Sequence, residues 1–143
     1  MRPHNCYLTA DVIVHVGNEV LLVRRKNEPF RGMWCIPGGF VDPDEKILDA
    51  ALRELKEETN VDNVNVIPFG TYGDPGRDPR GRTVTVVYAT RLNEKPEARA
   101  GDDAAESGWF SLSDLPPMAF DHKKVLQDYQ RCVNEGKIGN VCT

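Results

Sequence analysis

The chain has 143 residues, 40% hydrophobic and 28% charged, with a formal net charge of −4. That length suits one domain spanning residues 1–143, able to bury roughly 68–70% of the surface of its unfolded chain. Acids and bases are interspersed with a slight acidic excess, which argues against nucleic acid as the main partner, since a nucleic-acid backbone calls for a basic patch.

No stretch approaches 18 consecutive apolar residues, and the first residues lack the pattern of a secretory leader. A soluble, cytoplasmic protein with no membrane partner is therefore expected. Cys6, Cys35, Cys132 and Cys142 are scattered, with no Cys-x-x-Cys pair to suggest zinc or redox chemistry, and reduced thiols are expected in that compartment.

Residues 7–16, YLTADVIVHV, and 19–25, EVLLVRR, flank Gly17-Asn18 and predict a hairpin. His15 alternates with apolar neighbours and reads as an ordinary strand residue rather than a ligand. Arg24 and Arg25 would point to opposite faces of a continuing strand, leaving one for a substrate phosphate and one for solvent. Arg24 is taken as the substrate candidate. Residues 26–34, KNEPFRGMW, form a loop leading to a short strand at Cys35-Ile36, with Trp34 expected in the core.

Residues 46–59 contain no Gly or Pro and are rich in Leu, Ala, Lys, Glu and Arg, which predicts a helix. At about 100° per residue, Leu48, Ala51, Leu52, Leu55 and Thr59 share one stripe, while Glu54, Glu57 and Glu58 share another. Like charges at this spacing repel by roughly 0.2–0.5 kcal/mol per pair. Three carboxylates on one turn offer oxygen ligands to a hard cation, Mg²⁺ or Mn²⁺, which would relieve that repulsion. Arg53 can reach Glu57 at i,i+4 and hold it from behind. Taken alone, such a face is more commonly just solvated.

The residues before the helix decide between these readings. Pro37, Gly38 and Gly39, then Asp42, Pro43 and Asp44, make a tight loop whose glycines permit close backbone approach. Loop and helix together resemble the signature of the Nudix hydrolase family, Gly-x5-Glu-x7-Arg-Glu-U-x-Glu-Glu-x-Gly-U, where U is aliphatic. Gly39, Glu45, Arg53, Glu54, Leu55, Glu57, Glu58 and Val61 fill eight of its nine fixed positions over 23 residues. Asn60 stands where the pattern has Gly. It follows the helix end, where Asn is the next residue most willing to turn left-handed, so a small stability cost and no loss of chemistry is expected.

Further along, residues 64–72, VNVIPFGTY, have strand composition, and Pro68 implies an edge or a bulge. Residues 73–82, GDPGRDPRGR, hold no apolar residue and are expected to stay out of any core, as a hairpin tip or a binding loop. Their arginines, Arg77, Arg80 and Arg82, are candidates to face a pyrophosphate or ribose, with solvation the equal alternative for each. Residues 83–91, TVTVVYATR, predict a central strand whose partner is expected at 107–112, across an acidic loop at 102–106. Residues 121–135 place Val125, Leu126, Tyr129 and Val133 at helical spacing, and 136–143 are expected to fray. The alternation of elements predicts an α/β fold, a central mixed sheet covered by helices on both faces.

The family resemblance implies the same architecture, a Nudix-type α/β/α sandwich, and attack of water on a diphosphate assisted by Mg²⁺. It also implies that Glu54 and Glu58 ligate the metal directly, that Glu57 does so directly or through water, and that a backbone carbonyl near Gly38 or Gly39 completes the set. Glu45 is expected to brace the loop. A carboxylate from a later loop would serve as base, with Asp102, Asp103 and Glu106 the candidates and Asp103 the one favoured. Three segments, KNEPFRGMWCIPGGFVD, GDPGRDPRGR and GDDAAESGWFSL, look like the ADP-ribose pyrophosphatase branch. That likeness implies cleavage of ADP-ribose, a small-molecule nucleotide, to AMP and ribose 5-phosphate, and leads to the expectation of a homodimer. Hydrolysis of another nucleotide, or ligand sensing without hydrolysis, are the competing expectations.

Overall fold

The computed structural model describes residues 5–99 and 104–137. Strands β1 (Tyr7–Val16) and β2 (Glu19–Arg25) form the expected hairpin, with Gly17 at positive φ in its turn. They pair only near the turn, at His15↔Val20 and Val16↔Glu19. Beyond it they part company. The same edge of β1 takes up β4 (Gly38–Phe40) over Thr9 to Asp11, while β2 pairs with the short β3 (Trp34–Cys35) and with β7 (Ala104–Ser111). The cleft described below opens where these strands diverge.

On its other edge β1 runs parallel to β6 (Thr83–Leu92) over ten residue pairs, and β5 (Ile67–Tyr72) closes that side of the sheet. Pro68 sits on this outer strand beside a register shift, as a residue without an N–H requires. The expected pairing of β6 with 107–112 is not formed. Strand β7 starts at Ala104 and pairs with β2, because both edges of β6 are already occupied by β1 and β5. Glu106 therefore lies in a strand rather than in an acidic loop.

Alternation along β1 sorts the core into two layers. Ala10, Val12 and Val14 face helix α1 (Ile47–Thr59) and pack with Ala51, Leu55 and Tyr88. Ile13 faces helix α2 (His122–Asn134) and packs with Leu22, Val87, Leu126 and Tyr129. Each sheet face thus carries one helix, giving the mixed-sheet sandwich expected. His15 is a core residue, its Nδ1 2.9 Å from the Tyr129 hydroxyl.

Helix α1 buries Ala50, Ala51, Leu55, Glu58 and Thr59, and leaves Leu48 41% exposed. The stripe predicted through Leu48 is therefore rotated, because the helix turns Glu58 inward at the cleft instead of presenting its most apolar face. Asn60 ends the helix at φ 64°, ψ 11°, donating its N–H to the Lys56 carbonyl at 2.8 Å. Left-handed geometry at the Gly position of the signature is met as expected. Among the cysteines, Cys6 and Cys35 are free, whereas Cys132 is disulfide-bonded, contrary to the expectation of reduced thiols throughout. The tail from 138 lies outside the described residues.

Candidate active site

The site forms where the loop between β4 and α1 meets the diverging ends of β1 and β2. Arg53 organises its acidic side. Its guanidinium makes a two-pronged contact with Glu45, at 2.7 and 2.9 Å, and reaches Glu54 at 2.9 Å, Glu57 at 3.2 Å and the Phe40 carbonyl at 3.1 Å. Glu45 also accepts the Asp42 N–H at 3.1 Å, so it braces the loop as anticipated. The hydrogen bonds from Arg53 pull the Glu45 carboxyl down to about 2, and the same contact with Glu45 raises the Arg53 pKa further. A charge-assisted fork of this kind fixes both partners in one geometry.

The three candidate ligands differ in exposure. The Glu54 side chain is 13% exposed, Glu57 is 50% exposed, and Glu58 is buried. Among the described residues no three acidic or imidazole side chains already stand together as a metal-binding group. Even so, the donor set fits a divalent metal ion. A Cβ at Gly39 would lie 2.6 Å from both Glu54 carboxylate oxygens, so only glycine lets that backbone and that carboxylate come together. An all-oxygen, anionic set on one helix turn, held from behind by Arg53, suits a hard cation.

Substrate candidates are distributed unevenly. Arg24 pairs with Glu106 at 2.5 Å across the β2–β7 register, with both side chains about half exposed, so it sits at the rim. Arg82 is tied to the Gly73 carbonyl at 2.8 Å. Arg80 forks onto Asp78, at 3.1 and 2.8 Å, and lies 5.1 Å from the Phe40 ring and 5.7 Å from that of Phe120. Arg77 is buried, forking onto Asp121 at 3.0 and 2.7 Å. A loop without apolar residues was expected to stay out of any core, yet Arg77 and Asp78 are both buried. Ion pairing makes that possible, Arg77 with Asp121 and Asp78 with Arg80. Of the base candidates, Asp102 and Asp103 lie outside the described residues, and Glu106 is the partner of Arg24.

A second compartment adjoins the acidic one, behind Gly38 and Gly39. Arg25, Cys35, Gly38, Gly39, Phe40 and Arg80 line both spaces. Arg25, not singled out over Arg24 in the sequence, is therefore the strand-end arginine that faces inward. Its Nε donates to the Pro29 carbonyl at 2.6 Å and its guanidinium lies 5.0 Å from the Phe120 ring centre. Phe30 and Phe120 touch edge to face at 4.9 Å, and both hold positive φ, at 62° and 55°. Bulky residues adopt that conformation only where their surroundings enforce it.

On the floor of this compartment lie Asp11 and His122, 5% and 4% exposed. Thr85 Oγ1 donates to Asp11 Oδ2 at 2.5 Å. Burial lifts the Asp11 carboxyl from 3.8 to about 7, against the opposing effects of the Thr85 hydrogen bond and the nearby Arg77 charge. Burial likewise depresses His122 to about 3. His122 Nδ1 accepts the Ile36 N–H at 3.0 Å, so the neutral ring carries its proton on Nε2, which faces Asp11 Oδ2 at 3.8 Å. No sequence pattern marks this cluster. The one available signal was a lone Asp inside the apolar run of β1.

A mixed sheet between two helices, with a glycine loop feeding an acidic helix, defines a Nudix-type hydrolase fold. The chain belongs to the Nudix family: the family model for the NUDIX domain matches residues 7–129. It is 42% identical over 138 residues to an ADP-ribose pyrophosphatase of Methanocaldococcus jannaschii, covering 94% of this chain and 81% of that protein. It is 35% identical over 113 residues to an ADPR-responsive transcriptional repressor, NtrR, of Acinetobacter baylyi, covering 76% of this chain but 45% of the repressor. Among solved structures, the NUDIX domain of Shewanella oneidensis NrtR, crystallised with ADP ribose, superposes with a TM-score of 0.84 at 32% identity, covering 91% of this chain and 90% of that one.

Proposed function

We propose that this chain is a single-domain, cytoplasmic Nudix pyrophosphohydrolase that cleaves ADP-ribose to AMP and ribose 5-phosphate with Mg²⁺, for which Mn²⁺ can substitute. The observation that carries this reading is the intact acidic turn of α1, gathered by Arg53 against Gly39, in a chain 42% identical to an ADP-ribose pyrophosphatase. Glu54, Glu57, Glu58 and the backbone carbonyl of Gly39 would hold the metal. Once bound, the metal neutralises the charge that builds on the diphosphate and makes water a better nucleophile.

The chain's own groups do the rest. Arg53 keeps Glu54 and Glu57 in register, so that their orientation is set before substrate arrives. Arg25 and Arg80, at the junction of the two compartments, are placed to bind diphosphate oxygens, and Arg24 at the rim guides the anion in. Asp103 takes the proton of the attacking water. Arg77 and Arg82 act on substrate only by holding the 73–82 loop in shape. The ligand is a small molecule, not nucleic acid or a membrane, and a homodimer is the proposed assembly.

A second reading is supported by the likeness to the NtrR and NrtR proteins: ADP-ribose is bound and sensed without turnover. Product analysis separates the two. With Mg²⁺ and a panel of ADP-ribose, NADH, diadenosine polyphosphates and 8-oxo-dGTP, ADP-ribose should be cleaved far faster than the others. Preference for another compound would displace the substrate assignment, and binding of ADP-ribose without cleavage would favour the sensor.

A further inference from the structure

The loop at 73–82 buries two charged residues with different attachments. Arg77 ties the loop to α2 through Asp121. Asp78, its side chain 2% exposed, is held from within the loop by Arg80. A carboxylate withdrawn from water to this degree is retained only where partners hold it.

The local sequence explains how the two residues meet. In Asp78-Pro79-Arg80 the proline ring fixes φ at the middle position, and the aspartate side chain accepts the N–H two residues on, at 2.9 Å, as an Asx-turn. That turn brings the Arg80 side chain back over the same carboxylate, where Nε meets Oδ1 at 3.1 Å and Nη2 meets Oδ2 at 2.8 Å. Burial works against the charge on Asp78, but the hydrogen bonds from Arg80 and the nearby Arg77 charge keep its carboxyl below the usual value. Both members of the pair are therefore charged at neutral pH.

Which edge of the guanidinium is engaged decides what the pair can do. The group is flat, and the fork onto Asp78 takes up the edge formed by Nε and Nη2. Its second edge, Nη1 with Nη2, lies in the same plane and is turned away from the carboxylate. The Arg80 side chain is 39% exposed, and its guanidinium carbon lies over the Phe40 and Phe120 rings at 5.1 and 5.7 Å. Carboxylate and rings together fix that plane before a ligand arrives, so less side-chain freedom is lost on binding. We infer that Asp78 is a positioning residue for substrate binding: it sets the plane of Arg80 so that the Nη1–Nη2 edge stands ready to meet two oxygens of the diphosphate. Asp78 does not touch the substrate; its effect passes through Arg80.

This inference rests on the assignment of Arg80 to the diphosphate, and its test is a double-variant cycle read by binding rather than turnover. Asp78→Asn keeps an acceptor for the Asx-turn but sets an amide N–H₂ against Arg80 Nη2, so the turn survives and the fork does not. ADP-ribose titrated into metal-free protein should bind Asp78→Asn about tenfold more weakly than the parent, whereas in an Arg80→Gln background the same substitution should change affinity by less than about twofold. Arg80→Lys leaves Asp78 an ionic partner without a fork and should also bind about tenfold more weakly; it carries the test if the melting curve shows Asp78→Asn to be unfolded. In steady state, Asp78→Asn should raise KM about tenfold and change kcat by less than about twofold.

Equal weakening by Asp78→Asn in both backgrounds would make its role merely structural and overturn the inference. Parent-like binding by a folded Asp78→Asn, or by Arg80→Lys, would overturn it too. The cycle holding in a chain that fails to cleave ADP-ribose would refute the proposed activity and leave the role of Asp78 standing. Cleavage with a parent-like KM in Asp78→Asn would do the reverse.

Discussion

On the α1 face Arg53 gathers Asp42, Glu45, Glu54 and Glu57 in a partly exposed network, whereas on the α2 face Asp11 and His122 are buried beside a glycine. The first arrangement holds charge where it can be rearranged and neutralised by an incoming cation. The second fixes one donor and one acceptor and gives up stability to do so. The acidic turn and the buried Asp11–His122 pair thus stand on opposite sides of the Gly38-Gly39 backbone, and each can be perturbed with the other left in place.

The sharpest way to break that division is Glu58→Gln. It should leave the melting temperature nearly unchanged and cut turnover by several orders of magnitude, as judged by product formation with Mg²⁺; near-normal turnover would remove α1 from the chemistry. Arg53→Lys comes next. A single ammonium cannot fork onto Glu45 while reaching Glu54 and Glu57, so metal affinity or turnover should fall about 10–100-fold. An unchanged metal titration would show that the network is ornamental.

The α2 face should announce itself through pH. Unfolded Asp11 ionises near 3.8 and folded Asp11 near about 7, so the native state holds the extra proton between those values. Stability from this group is therefore fullest below pH 3.8 and is lost as pH rises toward 7. His122 acts with the opposite sign. It is neutral when folded down to about 3, so its effect is to lower stability as pH falls from 6.5 toward 3. Asp11→Asn should consequently gain on the parent protein as pH rises from 4 to 7, by on the order of 1–3 kcal/mol in denaturant melts. Parallel profiles would mean that Asp11 is not desolvated.

The smallest effect is expected at the helix end. Asn60→Gly should be neutral or stabilising by less than about 1 kcal/mol, since φ 64° costs glycine nothing. A clear fall in melting temperature would reveal a task for the Asn side chain.

What could be read from the chain follows the same division. The acidic turn, its arginine and its glycine lie within residues 39–58, so periodicity grouped the glutamates and the resemblance to the Nudix signature marked them out with Arg53 and Gly39, while the hairpin and both helices were legible for local reasons. The α2-side cluster draws on Asp11, Ile36, Thr85 and His122, which only the parallel β1–β6 pairing and the docking of α2 bring together. No local pattern encodes that. The partner of β7 was misjudged because adjacency in sequence was taken for adjacency in the sheet. The interior place of Arg77 was missed because its neutralising partner, Asp121, lies 44 residues away.

That Arg77–Asp121 fork carries a consequence for engineering. Loops of this kind are tempting parts to transplant when substrate preference is to be changed. Here residues 73–82 are bolted, through a part-buried two-bond clasp, to Asp121 at the cap of α2. A graft of the loop alone would strand a guanidinium in a dry interior, and a graft that also replaced Asp121 would disturb the neighbouring His122. Loop and helix start are one replaceable part, and designs that respect that boundary have the better prospect of folding.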